Sequence, residues 1–171
     1  MIDLKESQNL EEFKNHLDNA EGYGEVYDIV KDTVQRALGM SRVGMMLFID
    51  DLPLQLGAYH PVGSNNMILN RRLVQIVESA TGSKRVINSF VYSILLHEYL
   101  HALGYLHESE VRPLVYQISK EFFGTDHIAT HIAKKGPWSI LKGIPLNEIK
   151  APKRIIQVVK DFEKTNRNYI V

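Results

Sequence analysis

The sequence predicts an α+β fold, in which a small mixed β-sheet is combined with one buried helix and further helices after it. Apolar residues recur every three to four positions in the first forty residues and again beyond residue 110, as in amphipathic helices. Short apolar runs of strand length lie between residues 43 and 70. Residues 86–103 are apolar on almost every side, which is typical of a buried helix. We expect residues 1–171 to form a single domain.

The first half of the chain predicts two helices followed by strands. Ser7 can cap the first helix, because its hydroxyl accepts a hydrogen bond from a free amide in the first turn. Gly39 ends the second helix, since glycine tolerates the left-handed backbone that closes helices. Residues 43–49 form a buried strand, and residues 54–59 and 66–70 form two short strands joined by a turn.

The second half predicts mainly helices. Residues 71–80 carry a helical apolar pattern that stops at Gly82, and residues 86–103 form the buried helix. A further amphipathic helix covers residues 111–122, and a helix that contains residues 127–131 ends before Gly136. The apolar stripe over residues 155–162 predicts a last helix that closes the core.

Residues 97–107 carry the clearest chemical signal, the pattern H-E-x-x-H-x-x-G-x-x-H. On a helix, His97 and His101 lie one above the other, so both imidazoles can reach one metal ion. Glu98 lies about 100° around the helix from His97, where its carboxylate can reach a metal-bound water. Gly104 can turn the chain and bring His107 back as a third nitrogen ligand. Three ligands and an open fourth position are typical of a catalytic zinc site.

This pattern resembles the active-site motif of the zincin metallopeptidases, and its eleven-residue form is similar to that of the metzincin branch. The resemblance implies that His97, His101 and His107 bind one Zn²⁺ per chain and that Glu98 is the catalytic general base. It also implies a zincin-like fold, in which the motif helix is the active-site helix and the C-terminal helices follow it. One feature departs from the metzincin pattern: no methionine follows the motif, whereas metzincins have a methionine turn there.

The identity of the third ligand stays open between neighbouring residues. His107 fits the metzincin spacing, whereas in the gluzincin branch the third ligand is a glutamate on the following helix. Glu110 is therefore the alternative third ligand, and Glu108 ranks after it. Zinc accepts imidazole and carboxylate equally, so the chemistry of the ligands does not choose between them.

The function that follows is hydrolysis of peptide bonds by a zinc-dependent metallopeptidase, through a zinc-bound water with Glu98 as general base. Its partner would be a peptide or protein substrate. A non-catalytic or latent zinc-binding module is the first alternative, and a zinc amidohydrolase that acts on a non-peptide substrate is the second. A strand at the sheet edge that faces the metal would favour the peptidase, and residues 57–59 and 67–70 are the two candidates.

Other polar groups near the motif have weaker claims to a role. By analogy with zincins, Tyr116 could polarise a substrate carbonyl, although a tyrosine packed in the core is the more common arrangement. His127 and His131 share the four-residue spacing of a metal pair. They have no third ligand, base or glycine turn beside them, so a helix end at the protein surface is the favoured interpretation.

Composition excludes several classes of function. Twenty basic and twenty acidic residues leave no net charge, so no electrostatic feature points to nucleic acid or to a membrane surface. The chain has no cysteine, which excludes disulfides and thiolate zinc sites. The first residues lack a basic segment followed by an apolar run, and we expect a cytoplasmic protein with no membrane segment. The sequence does not indicate an oligomeric state.

Overall fold

The computed structural model describes residues 4–144, 156–160 and 162–163. Within these residues, four strands form one sheet in the order β2-β3-β1-β4. β1 and β3 are parallel, whereas β2 pairs antiparallel with β3 and β4 pairs antiparallel with β1. The predicted α+β fold with a small mixed sheet is therefore confirmed. The strands are β1 (Met46–Asp50), β2 (Ala58–Tyr59), β3 (Asn66–Asn70) and β4 (Gln157–Val158).

In the described ranges, six α-helices accompany the sheet. Glycines end several of them, as expected: Gly39 and Gly82 both have positive φ angles, 66° and 54°, at the C-terminal ends of the second and third helices. A short 3₁₀ helix, Pro137–Leu141, follows the last α-helix. The α-helices are α1 (Leu4–Asn19), α2 (Gly22–Leu38), α3 (Arg71–Thr81), α4 (Lys84–Ala102), α5 (Glu108–Phe123) and α6 (Ile128–Lys135).

Helix α4 is the centre of the fold. It begins after Ser83, whose hydroxyl accepts a hydrogen bond from the amide of Val86, and most of its length is buried. The other five helices all pack against it. A polar contact adds to this packing: the Tyr92 hydroxyl lies 2.9 Å from the Thr33 hydroxyl of α2. A helix that is held on every side gives side chains at its C-terminal end a fixed position.

The buried side chain of Asn70 organises the loop between β1 and β2. Its amide donates to the carbonyls of Leu52, Pro53 and Leu56, and its oxygen accepts from the amides of Leu52 and Arg72. Asn70 thereby caps α3 and fixes the loop at the same time. The loop leads directly into β2, so its shape positions that strand relative to α4.

Three details of the prediction are wrong. Ser7 lies inside α1, which begins at Leu4, so it does not cap this helix. The stripe predicted as a last helix contains a strand instead, because Gln157 and Val158 pair with β1. The strand at 67–70 is not a sheet edge, because β3 is paired on both sides.

The last described residues, 162 and 163, are not helical and pack against Tyr27 and Met45. The ring of Phe162 stacks on the ring of Tyr27, with centroids 4.2 Å apart, and Glu163 accepts a hydrogen bond of 2.6 Å from the amide of Met45. The tail at 166–171, considered as a segment that could keep the protein latent, lies outside the described residues. Within the described residues, we find no helix with the length and apolar character needed to cross a membrane.

Candidate metal centre

Three side-chain donors converge at the C-terminal end of α4. The Nε2 atoms of His97 and His101 are 3.2 Å apart. Glu108 Oε1 lies 3.1 Å from the first of these nitrogens and 3.0 Å from the second. Two residues come from one face of α4 and the third is the first residue of α5, so the turn between the helices determines whether they meet.

That turn depends on Gly104. Its φ angle is 107°, a value that side chains disfavour, and α4 ends two residues before it. The amide of Tyr105 donates back to the carbonyl of Leu100, which closes the helix end. The chain then reverses within a few residues and starts α5 beside the two histidines.

The hydrogen bonding of His101 leaves a lone pair directed into the group. Its Nδ1 lies 2.7 Å from the carbonyl oxygen of Tyr105, and a carbonyl only accepts, so Nδ1 carries the proton. Nε2 of the neutral ring is then a pure acceptor, although it faces the carboxylate of Glu108. A histidine with Nδ1–H bound to a backbone carbonyl is the usual arrangement of a metal ligand.

The protonation states also suit a cation. Burial lowers the pKa of His97, although the attraction of Glu108 opposes this effect. Burial raises the pKa of Glu108, but attraction to His97 and hydrogen bonds from His97 and Arg112 outweigh it and lower this pKa. A deprotonated carboxylate beside neutral imidazoles is the state in which these side chains bind metals.

The distances fit zinc. Bonds of about 2.0–2.1 Å in a tetrahedral site place two ligand atoms about 3.3 Å apart. The three separations in this group, 3.0, 3.1 and 3.2 Å, are close to that value. Between neutral rings and a carboxylate, at most one proton is available for the three contacts. A cation at the centre would bind the two imidazole nitrogens and the carboxylate oxygen at the same time.

The structure brings neither His107 nor Glu110 into this group. The group formed by the described residues contains Glu108 instead. His107 occupies the position before α5 with extended backbone angles, φ −99° and ψ 130°, and its side chain is exposed. Glu110 lies in the first turn of α5 and is also exposed. The carboxylate that ranked third by sequence is thus the one beside both histidines.

Glu98 is buried next to the three donors. Its side chain is on α4, the residue is 7% exposed, and burial raises the pKa of its carboxyl to about 7. His101 and a hydrogen bond from the backbone of His60 oppose the effect of burial, whereas Glu108 adds to it. A carboxyl group with such a pKa can both accept and return a proton near neutral pH.

A cleft of about 670 Å³ is lined by two members of this group, His97 and Glu108, and by Glu98. Its lining also includes residues 55–58, part of α5 and residues 132–138. Tyr116 lines the cleft and is half-buried, so it does not lie in the core. Neither His127 nor His131 is part of the cleft lining.

Strand β2 contributes Ala58 to the cleft lining and is an edge of the sheet in the part of the chain that the structure describes. The amide of Asn70 donates to the carbonyl of Gly57, which makes these two residues a hydrogen-bonded pair. Such pairs alternate along antiparallel strands, so the backbone groups of Ala58 point away from β3. Ala58 lies in the cleft wall, and its outward groups are positioned to pair with an extended chain.

Comparisons with protein-family models, with curated proteins and with solved structures gave no match for this chain. The site is therefore interpreted from its own geometry and chemistry.

Proposed function

We propose that this protein is a zinc-dependent metallopeptidase with a zincin-like active site. The observation that carries the proposal is the convergence of two imidazole nitrogens and one carboxylate oxygen beside the buried Glu98, inside a cleft. His97, His101 and Glu108 would hold the ion, and three protein ligands would leave one position for water or substrate. We take Glu108 as the third ligand and keep His107 and Glu110 as rivals to be tested.

A bound zinc ion would supply two effects here: greater acidity of a bound water and polarisation of the substrate carbonyl. The protein supplies the proton transfers. The carboxylate of Glu98 accepts a proton as the water oxygen attacks the carbonyl carbon of the peptide bond. As the bond between that carbon and the amide nitrogen breaks, Glu98 delivers the proton to the leaving amine. This sequence needs no covalent intermediate with the protein.

The cleft supports a polypeptide rather than a small amide as substrate. Its volume is about 670 Å³, and several of its lining residues, such as Gln55 and Arg112, are exposed, so it opens at the surface. The outward backbone groups of Ala58 would hold an extended substrate by main-chain hydrogen bonds, which give affinity without sequence preference. Tyr116 would then be available to donate a hydrogen bond to the developing oxyanion.

The proposal is tested by zinc content and by cleavage of an unstructured protein such as casein. We expect one zinc per chain in the wild type, loss of zinc in Glu108→Ala and retention in His107→Ala and Glu110→Ala. Cleavage should disappear in Glu98→Gln while its zinc remains. Loss of zinc in His107→Ala or Glu110→Ala alone would move the third ligand to that residue.

Two other outcomes would contradict the proposal. Stoichiometric zinc without cleavage of casein or of any peptide would favour a zinc-binding module. Absence of zinc binding by the refolded and zinc-dialysed wild type would remove the metal site altogether. Circular dichroism of each variant separates loss of a ligand from loss of the fold.

A further inference from the structure

The part of the cleft lining that α5 and α6 contribute carries three basic residues. Lys134 and Lys135 form the last turn of α6 and line the cleft, and Arg112 lines it from α5. The acidic residues of the lining are Glu98 and Glu108, both part of the candidate metal centre. If those two carboxylates serve the metal and the proton transfers, the charge left to face a substrate is positive.

The two lysines are available to a ligand. Neither has an ion pair with any residue in the described ranges, and both side chains are exposed. Elsewhere on the surface, lysines such as Lys14 and Lys31 pair with neighbouring carboxylates. Because the whole chain has no net charge, a concentration of positive charge at one cleft is a local feature rather than a general property of the surface.

An aromatic side chain lies beside the lysines. Trp138, the only tryptophan of the sequence, is 39% exposed although it is large and apolar, and it lines the cleft with Pro137. An exposed aromatic ring next to cationic groups can pack on the aliphatic part of an acidic side chain while the lysines bind its carboxylate.

We propose that this cleft selects peptides with a carboxylate that lies against Lys134 and Lys135. The carboxylate belongs either to an aspartate or glutamate side chain or to the C-terminus of the substrate. The inference rests on the proposed peptidase function and adds its substrate class. Arg112 is occupied by Glu108, at 3.3 Å from its Oε2, so the two lysines rather than Arg112 provide the selectivity.

The first test uses internally quenched peptides with blocked ends that differ at single positions, with Glu, Gln or Lys. For the wild type we expect kcat/KM for the best Glu peptide to exceed that of its Lys counterpart about tenfold, the effect of two exposed ion pairs. The preference should shrink in about 1 M salt, because salt screens exposed charges. A second peptide set with free or amidated C-termini separates a side-chain carboxylate from a terminal one.

The matched variants are the double substitution Lys134→Glu with Lys135→Glu and the control Lys120→Glu. Lys120 is also exposed and lies in the last turn of a helix, α5, but it is not part of the cleft lining. Both changes therefore place unfavourable negative charge at a helix C-terminus, two glutamates in the double variant and one in the control. We expect only the double variant to lose or invert the preference for acidic peptides.

Binding provides a readout that does not depend on cleavage. Fluorescence anisotropy of labelled peptides with the zinc-loaded Glu98→Gln protein should show tighter binding of acidic peptides, and the lysine double variant should abolish the difference. Cleavage without any preference for a carboxylate would overturn this inference and leave the peptidase function intact. If the wild type bound acidic peptides selectively but did not cleave them, this inference would stand and the proposed peptidase function would be contradicted. Equal shifts in the Lys120→Glu control would also overturn it.

Discussion

Two histidine pairs with the same four-residue spacing have different environments in this molecule. His97 and His101 point their Nε2 atoms at each other and at Glu108, and the Nδ1 proton of His101 is bound by a carbonyl. His127 instead accepts a hydrogen bond from the amide of Ala129 at Nδ1 and lies 2.9 Å from an Asp18 oxygen at Nε2. Its partner His131 is exposed.

The difference lies in what each ring nitrogen is used for. Both nitrogens of His127 are occupied by protein groups, so no lone pair is left for a metal. His127 also precedes α6 with extended backbone angles, and the helical geometry that would align it with His131 is absent. Spacing predicts a metal pair only if both residues are inside a helix and a third donor arrives from another element.

The carboxylate partners of the two pairs are built alike. Glu108 faces the histidines with Oε1, and its Oε2 lies 3.3 Å from Arg112 Nε. Asp18 faces His127 with Oδ1, and its Oδ2 lies 3.3 Å from Arg85 Nε. An arginine-supported carboxylate is thus not diagnostic of a metal centre. Glu108 faces two histidine nitrogens, whereas Asp18 faces one, and this second nitrogen distinguishes the candidate metal centre.

The largest expected effect is a loss of zinc affinity when a histidine of the first pair is replaced, compared with the same replacement in the second pair. His101→Ala should lower zinc affinity by more than about a hundredfold, since it removes a ligand rather than an outer partner. His131→Ala should leave zinc content unchanged. Elemental analysis after dialysis against a weak chelator measures both. Equal losses in the two variants would show that the pairs are not as different as the geometry indicates.

Removal of the proposed base, Glu98, should affect turnover and not metal binding. Glu98→Gln keeps the size of the side chain but cannot accept the proton, so kcat should fall by about 10²- to 10⁴-fold with zinc content retained. Peptide cleavage and elemental analysis on the same preparation measure the two quantities. A variant that keeps wild-type turnover would exclude Glu98 from the proton transfer.

In the second pair, His127 should make the free energy of unfolding depend on pH. Burial lowers the pKa of His127, with the Asp18 hydrogen bond opposing this effect. Because protonation is harder in the folded than in the unfolded state, stability is full above the ordinary histidine pKa of about 6.5 and is lost as pH falls below it. Urea unfolding between pH 7.5 and 5.5 should show a shallower loss for His127→Asn than for the wild type.

Burial also lowers the pKa of His97, which contributes a slope of the same sign. That contribution is present in both proteins and cancels in the comparison. The substitution itself should cost about 1–3 kcal/mol at pH 7.5, because it removes a buried hydrogen bond and the stacking of the ring on Phe123. Identical slopes for the two proteins would contradict the role given to His127.

The smallest expected effects come from the supporting arginines. Arg112→Gln should weaken zinc binding by about tenfold, since it removes the partner that orients Glu108, and should leave stability nearly unchanged. Arg85→Gln should lower the free energy of unfolding by less than about 1 kcal/mol and leave zinc binding unaffected. Zinc titrations measure the zinc affinity of both variants, and urea unfolding measures their free energy of unfolding. A loss of zinc affinity in Arg85→Gln would contradict it.

Local patterns predicted much of the fold and part of the candidate site. Helix periodicity and terminal glycines predicted α2, α3 and α4 closely, because those signals act within a few residues of one another. The apolar pattern at 155–162 predicted a helix, and this prediction was wrong. Gln157 and Val158 instead pair with β1, a strand more than a hundred residues away in the chain. Pairing over such distances overrides local periodicity.

The sequence by itself determined the helix that presents His97, Glu98 and His101, because the 3.6-residue period places these side chains wherever the helix forms. Only the tertiary structure decided which neighbouring residue joins them. His107 and Glu108 are adjacent in the chain, and the turn after Gly104 together with the start of α5 directs one outward and the other to the histidines. The cleft walls at β2 and α6 were likewise decided by packing, because they come from distant parts of the chain.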